Sequence, residues 1–241
     1  MTEIASPPGP RVTLVTGASR GIGRAASLHL AAAGHHVIAV ARSKLALEKL
    51  GEEIAALGAQ ATLVPLDLKD GDSIKRLGAA LDTKFGRLDG LLANAGILGT
   101  LGPLETVGPR SFAETIEINL NANWRLIAEL GPLLKKSPAP RAVFITSSVA
   151  SKPRAFWGPY QASKAGLEAL VRGWADETEA LGLKANLFDP GGTRTGMRAE
   201  AMPGEDPETL PTPEQVAAKL IPLLLPEETR TGALIRARDL A

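Results

Sequence analysis

Apolar positions along the chain fall into two alternating kinds of run. Short, β-branched runs over 12–16, 36–40, 61–66, 88–93, 141–146, 184–188 and 233–235 read as seven strands. Between most of them, apolar residues recur every three or four positions. Those stretches predict helices over 22–33, 44–57, 71–85, 109–135, 159–181 and 213–225, the first one stopped by Gly34. Several strands are apolar on both faces. This argues for a parallel sheet covered by helices on both sides, in a single α/β domain spanning 1–241. Two segments fall outside the pattern. Residues 1–10, with Ser6-Pro-Pro-Gly-Pro10, read as a flexible lead-in. The charged, Gly- and Pro-rich stretch 192–212 reads either as a substrate lid or as a mobile surface excursion.

Composition narrows the function. The 241 residues are 44% hydrophobic, and 27 basic residues against 26 acidic ones leave a net charge of +1. This balance argues against a nucleic-acid partner or an anionic lipid surface. The absence of cysteine excludes disulfides, thiolate catalysis and cysteine-held metals. His35 and His36 follow a predicted helix-to-strand turn and read as surface residues rather than metal ligands. No stretch is apolar for the roughly 18–20 residues of a membrane span, and the N-terminus lacks the pattern of a secretory signal. A cytoplasmic location is the default expectation.

The first strand runs into Gly17-Ala-Ser19-Arg20-Gly21-Ile22-Gly23, which opens the first helix. Glycines there permit positive φ and close approach of a ligand, and the helix start offers N–H groups to a pyrophosphate. A plain structural turn is the other reading. Strand two ends in Ala41-Arg42-Ser43, where a site for NAD usually carries an acid. Arg42, with Arg20 in the glycine turn, suits a 2′-phosphate instead, so NADP(H) is favoured over NAD(H). Further on stand the only tyrosine, Tyr160, and Lys164, four positions apart on one helix face. An ammonium there would lower the phenol pKa and let Tyr160 exchange a proton. Taken alone, the pair also fits a packed aromatic beside a solvated lysine.

Several motifs then stand in order: Thr16-Gly-Ala-Ser-Arg-Gly-Ile-Gly23, Asp67-Leu68, Asn94-Ala95-Gly96, Asn119, Ser147-Ser148, Tyr160-x-x-x-Lys164 and Pro190-Gly191-Gly-Thr193. Together they resemble the short-chain dehydrogenase/reductase family over nearly the whole chain. Within it, Asp189-Pro-Gly-Gly-Thr-Arg-Thr and Trp157-Gly-Pro-Tyr160 resemble the bacterial YciK-like oxidoreductases. The resemblance implies a Rossmann-type, doubly wound fold and hydride transfer between a nicotinamide and a carbonyl or alcohol, with no metal. It makes Tyr160 the general acid/base and gives Lys164 the nicotinamide ribose. Asn119 would support a water-linked proton relay through Lys164. Asp67 and Leu68 would meet the adenine, Asn94, Ala95 and Gly96 would border the adenosine, and Pro190, Gly191 and Thr193 would lie against the nicotinamide. A serine would bind the substrate oxygen. The usual spacing to the tyrosine selects Ser147, the local Thr-Ser-Ser-Val-Ala pattern selects Ser148, and Ser148 is favoured. Trp157, Leu98, Met197 and Met202 would supply an apolar substrate wall, or would simply be core. The resemblance also implies a homodimer or homotetramer, with one tetramer contact in doubt because no glycine-rich segment follows the last strand. A catalytically quiet nucleotide sensor or scaffold on the same fold is the competing reading.

Overall fold

Strands β1 (Val12–Thr16), β2 (His36–Ala41), β3 (Ala61–Pro65), β4 (Gly90–Ala93), β5 (Arg141–Ile145), β6 (Lys184–Asp189) and β7 (Leu234–Arg236) form one sheet in a computed structural model that describes residues 9–240. All pairings are parallel, in the order β3-β2-β1-β4-β5-β6-β7. This is a Rossmann-type, doubly wound arrangement. Strand order reverses between β1 and β4, and a crevice opens there at the carboxyl ends of the strands. Apart from Gly9 and Pro10, the expected lead-in lies outside the described residues.

Strand alternation divides the core in two. On one face Leu14, Leu91, Ala142, Phe144 and Leu187 pack against α3 (Gly71–Phe85), α5 (Ala122–Leu134) and α6 (Gly158–Thr178). On the other, Val15, Leu92, Val143 and Phe188 pack against α1 (Gly21–Ala32), α2 (Lys44–Ala56) and α8 (Pro213–Leu220). Burial on both faces is what made the strands read as near-continuous apolar runs.

Three expectations need correction. The helix expected over 109–135 is not uniform. After α4 (Pro109–Ile116), a π-helical turn at Glu117–Asn121 intervenes before α5. The widened turn contains Asn119, whose side chain is engaged away from the helix, and such turns recur at functional sites. The stretch 192–212 is partly regular. It holds α7 (Gly196–Ala201), capped by the Thr195 hydroxyl, and a 3₁₀ turn at Pro207–Thr209. Ion pairs from Arg198 to Glu205 and from Arg194 to Glu208 fasten it internally. Short capped turns of this kind leave no apolar periodicity for a sequence to display. Third, His35 is not a surface residue. Gly34, at φ +82°, turns the chain back beneath β1, where His35 is buried and its Nδ1 lies 2.9 Å from the Thr13 hydroxyl. His36 is half-buried, hydrogen-bonded to Thr62 and beside the Phe85 ring.

Candidate active site

The crevice at the strand reversal is a cleft of about 440 Å³ that runs from the glycine turn to Tyr160. At its nucleotide end the chain leaves β1 through Gly17 (φ +65°) and Gly21 (φ +55°) and enters α1. Arg20, the N-cap, lends no side-chain oxygen to the helix start. The first N–H groups of α1 and the positive end of its dipole are therefore available to an anion. Ser19, Arg20, Gly21 and Ile22 line the cleft. Gly23 lies beneath it instead. A Cβ there would meet the Gly17 oxygen at 2.3 Å and Asn94 Nδ2 at 2.5 Å. The Asn94 amide donates to the Thr16 oxygen at 3.0 Å, and the Thr16 hydroxyl accepts from the N–H groups of Asn94 and Ala95. These bonds tie the ends of β1 and β4 together at the crevice.

Arg42 follows β2 and reaches the same cleft as Arg20, both with exposed guanidiniums. Ser43 does not line it; its hydroxyl caps α2 by accepting from Ala46 N–H. Asp67 and Leu68 form the wall after β3, with Ala95 and Gly96 opposite and Pro190, Gly191 and Thr193 beyond. These residues fit a dinucleotide: glycines leave room for a pyrophosphate, and two exposed arginines and the Asp67 carboxylate line the same cleft.

At the reactive end Tyr160 occupies the first turn of α6, 8% exposed, with Trp157 packed edge-on at 5.8 Å between ring centroids. Ser147 lines the cleft with Tyr160, its hydroxyl placed to favour the phenolate. Ser148 does not: it is exposed and opens a 3₁₀ turn, Ser148–Ala150. On geometry Ser147 faces the cleft with Tyr160, whereas Ser148, the serine favoured from the sequence, does not. The strand runs to Ile145, so the next inward-facing hydroxyl above the cleft is at Ser147, and the chain has already turned outward at Ser148.

Lys164 shares the helix face with Tyr160 as expected, its Nζ 5.7 Å from the ring centroid. The electrostatics differ from expectation. The ammonium donates to the main-chain oxygen of Ile145 at 2.7 Å. Burial pushes Lys164 down to about 8. Burial also pushes the Tyr160 phenol up to about 12, aided by the charge of Asp189 and opposed by the Ser147 hydroxyl. In the protein alone, desolvation outweighs the lysine.

Asn119 is fully buried in the π turn. Its side chain bridges both main-chain groups of Ile97 at 2.9 Å and donates to the Ser163 hydroxyl at 3.0 Å, and Ser163 in turn donates to the Tyr160 carbonyl. Gly96 makes room for this convergence, since a Cβ there would stand 3.1 Å from Asn119 Oδ1 and 3.7 Å from Lys164 Nζ. Leu98, Trp157 and Met197 line the cleft and pack with Tyr160. Met202 packs into the same apolar cluster from behind. Sequence reasoning missed Thr146 and Arg198 at the cleft.

Comparison with known proteins agrees with this geometry. The model of the short chain dehydrogenase family matches residues 11–206. The oxidoreductase YciK of Escherichia coli (strain K12) is 40% identical over 218 residues, 89% of this chain and 84% of that protein. An NADPH-dependent aldehyde reductase-like chloroplastic protein of Arabidopsis thaliana is 31% identical over 233 residues, 90% of this chain and 84% of that protein. Among solved structures, a short chain dehydrogenase of Shigella flexneri complexed with NADP superposes with a TM-score of 0.92 at 38% identity, covering 95% of this chain and 98% of that one. One from Escherichia coli CFT073 complexed with NADPH superposes with a TM-score of 0.91 at 38% identity, covering 95% and 97%. The chain belongs to the short-chain dehydrogenase/reductase family of oxidoreductases, which act on CH–OH and C=O groups with NAD(P).

Proposed function

We propose that this protein is an NADP(H)-dependent oxidoreductase that interconverts a carbonyl and an alcohol, with Tyr160 as general acid/base. The observation that carries the reading is that Ser147, Tyr160 and Lys164 line one cleft with the glycine turn, Arg20 and Arg42. NADPH, when bound, supplies a hydride to the carbonyl carbon. The protein's own residues do the rest. Ser147 and Tyr160 both hydrogen-bond the carbonyl oxygen, and Tyr160 gives it a proton as negative charge develops. Lys164 is one helical turn away, able to leave Ile145 for a ribose hydroxyl. Asn119 fixes the Ile97 loop and the first turn of α6, which sets the position of Tyr160 and of the proposed relay. Arg42 and Arg20 select the 2′-phosphate by paired charge.

Leu98, Trp157 and Met197 favour a small-molecule substrate with an apolar body, and we assign 192–212, with α7 over the cleft, as its lid. Exposed Trp124 and Phe112 on α5 and α4 support assembly into a homodimer or homotetramer. The test is NADPH oxidation against a panel of aldehydes and ketones, run with the parent and with Tyr160→Phe. The parent is expected to turn over at least one class, and the variant to lose about 100-fold or more in kcat. A protein that binds NADPH yet reduces nothing on a broad panel would return the advantage to a nucleotide sensor.

A further inference from the structure

Four residues of α6 follow one another at single-turn spacing: Tyr160, Lys164, Glu168 and Arg172. Tyr160 and Lys164 reach the cleft and have a task in the proposed chemistry. Glu168 has none. It does not line the cleft, it is 5% exposed, and both of its carboxylate oxygens are taken. One accepts from the Thr146 hydroxyl at 2.9 Å, and the other accepts from Arg172 at 2.9 Å. Arg172 holds the carboxylate from the solvent side. Thr146, on the inner side, is buried and lines the cleft.

Thr146 stands between two other cleft residues. Ile145 accepts from the Lys164 ammonium at 2.7 Å, and Ser147 is the serine of the proposed site. The Thr146 N–H donates to the Phe188 oxygen at 2.9 Å, which fixes this segment sideways against β6. Its hydroxyl fixes the same segment to α6, the helix that carries Tyr160. Two bonds one helical turn apart, Lys164 to Ile145 and Thr146 to Glu168, thus join the end of β5 to this helix. They are not equivalent. Lys164 is the residue proposed to turn to a ribose hydroxyl, and its bond to Ile145 is then given up. The Thr146–Glu168 bond stays. Loss of a donor to a buried carboxylate is costly, so this bond is strongly held.

We propose that Thr146 and Glu168 are positioning residues: their buried hydrogen bond holds the end of β5 on α6 and keeps Ser147 in register with Tyr160 while Lys164 is engaged with the cofactor. This rests on the reading of Ser147 and Tyr160 as the pair that binds the carbonyl oxygen. Both must meet one atom, yet they come from different layers of the fold. Ser147 follows a strand and Tyr160 belongs to a helix. Strand pairing fixes positions within the sheet. The setting of the sheet against the helix is left to side chains, and a small slide between the two layers would separate the hydroxyls.

The test is a double-mutant cycle between Thr146 and Ser147, read as steady-state kcat and KM on the best substrate of an aldehyde and ketone panel. Thr146→Val removes the hydroxyl at nearly constant volume, Thr146→Ala is a second variant without it, and Thr146→Ser keeps it. Far-UV dichroism and thermal unfolding show which variants are folded. Folded Thr146→Val or Thr146→Ala is expected to lose about tenfold or more in kcat, the scale of a slightly misplaced group, with KM for NADPH nearly constant. Thr146→Ser is expected to recover most of the parent kcat. In a Ser147→Ala background the loss should shrink to about twofold or less, because the serine that Thr146 positions is gone. An unchanged kcat in the folded variants would overturn the proposal. So would an equal loss in both backgrounds, or failure of both variants to fold, either of which makes the bond a support of the fold alone. A Ser147→Ala protein at the parent rate, or a parent that reduces nothing on the panel, also removes the proposal, and places the fault in the reading of the site rather than in the Thr146–Glu168 bond.

Discussion

The Lys164 ammonium donates to the main-chain oxygen of Ile145 at 2.7 Å, inside a site where the lysine is only 3% exposed. One carbonyl replaces a full hydration shell poorly, and burial therefore lowers the Lys164 pKa from 10.5 to about 8. The folded state gives up this proton before the unfolded state does. Between pH 8 and 10.5 the unfolded chain binds more protons, so this group adds stability as pH rises. Above pH 10 Tyr160 acts in the opposite sense, because its folded pKa is raised to about 12 and the unfolded chain ionises first. The clean window is thus pH 8 to 10. Across it the parent is expected to gain roughly 2 kcal/mol relative to Lys164→Met, from about 1.4 kcal/mol per pKa unit. Urea midpoints of the two proteins without cofactor, measured at several pH values, check this. Parallel pH dependences would show that Lys164 is not the group responsible.

Ser147 and Ser148 are neighbours with different surroundings, and their alanine variants are expected to separate sharply. Ser147 lines the cleft with Tyr160, so Ser147→Ala is expected to lower kcat by about 100-fold or more, the usual cost of one donor to a developing oxyanion. Ser148 is exposed at the start of a 3₁₀ turn, and Ser148→Ala should stay within about twofold of the parent, as surface substitutions do. Steady-state kinetics with saturating NADPH decide the matter. A severe loss in Ser148→Ala with a mild one in Ser147→Ala would reverse the assignment.

This pair also marks where the sequence stopped being legible. Strand and helix order, the parallel sheet, the glycine turn and the Tyr160–Lys164 face were all readable, because each leaves a periodic or spaced signature. Which of two adjacent hydroxyls turns inward was not, since that depends on where β5 ends to within one residue. The π turn at Asn119 was invisible for a related reason: helical periodicity over 109–135 survives one widened turn. The burial of His35 followed from a long-range contact with Thr13 rather than from its own polar neighbourhood. The lysine's engagement with Ile145 likewise needs the end of β5 to be placed against α6 in space.

Arg42 lines the nucleotide end of the cleft with its guanidinium exposed. If it meets a 2′-phosphate, Arg42→Ala removes a charge-assisted bond of about 1.5–3 kcal/mol. The KM for NADPH is then expected to rise by about tenfold or more while the KM for NADH stays nearly constant. Arg20 lies within the glycine turn and lines the same cleft, so Arg20→Ala is expected to weaken NADPH in the same sense and the double variant to approach indifference. Initial rates with each cofactor at fixed substrate measure the ratio. Preference for NADH in the parent, or an unchanged ratio in Arg42→Ala, would refute the role.

Gly23 offers a test of the glycine turn that does not depend on knowing the substrate. A methyl group there would stand 2.3 Å from the Gly17 oxygen and 2.5 Å from Asn94 Nδ2. Neither can retreat easily. Gly17 is itself held at φ +65°, and the Asn94 amide is tied to the Thr16 oxygen. Gly23→Ala should therefore push α1 away from β1, with a stability loss of about 1–3 kcal/mol, the range for overpacking a tight site. NADPH affinity should fall with it, because the first N–H groups of α1 move. Gly173, exposed in α6 with nothing within 4 Å of a Cβ, supplies the contrast. There alanine gains helix propensity and is expected to leave stability unchanged or raise it by up to ~1 kcal/mol. Thermal unfolding with and without NADPH reads both variants, and a Gly23→Ala protein as stable and as strongly shifted by NADPH as the parent would contradict this picture of the turn.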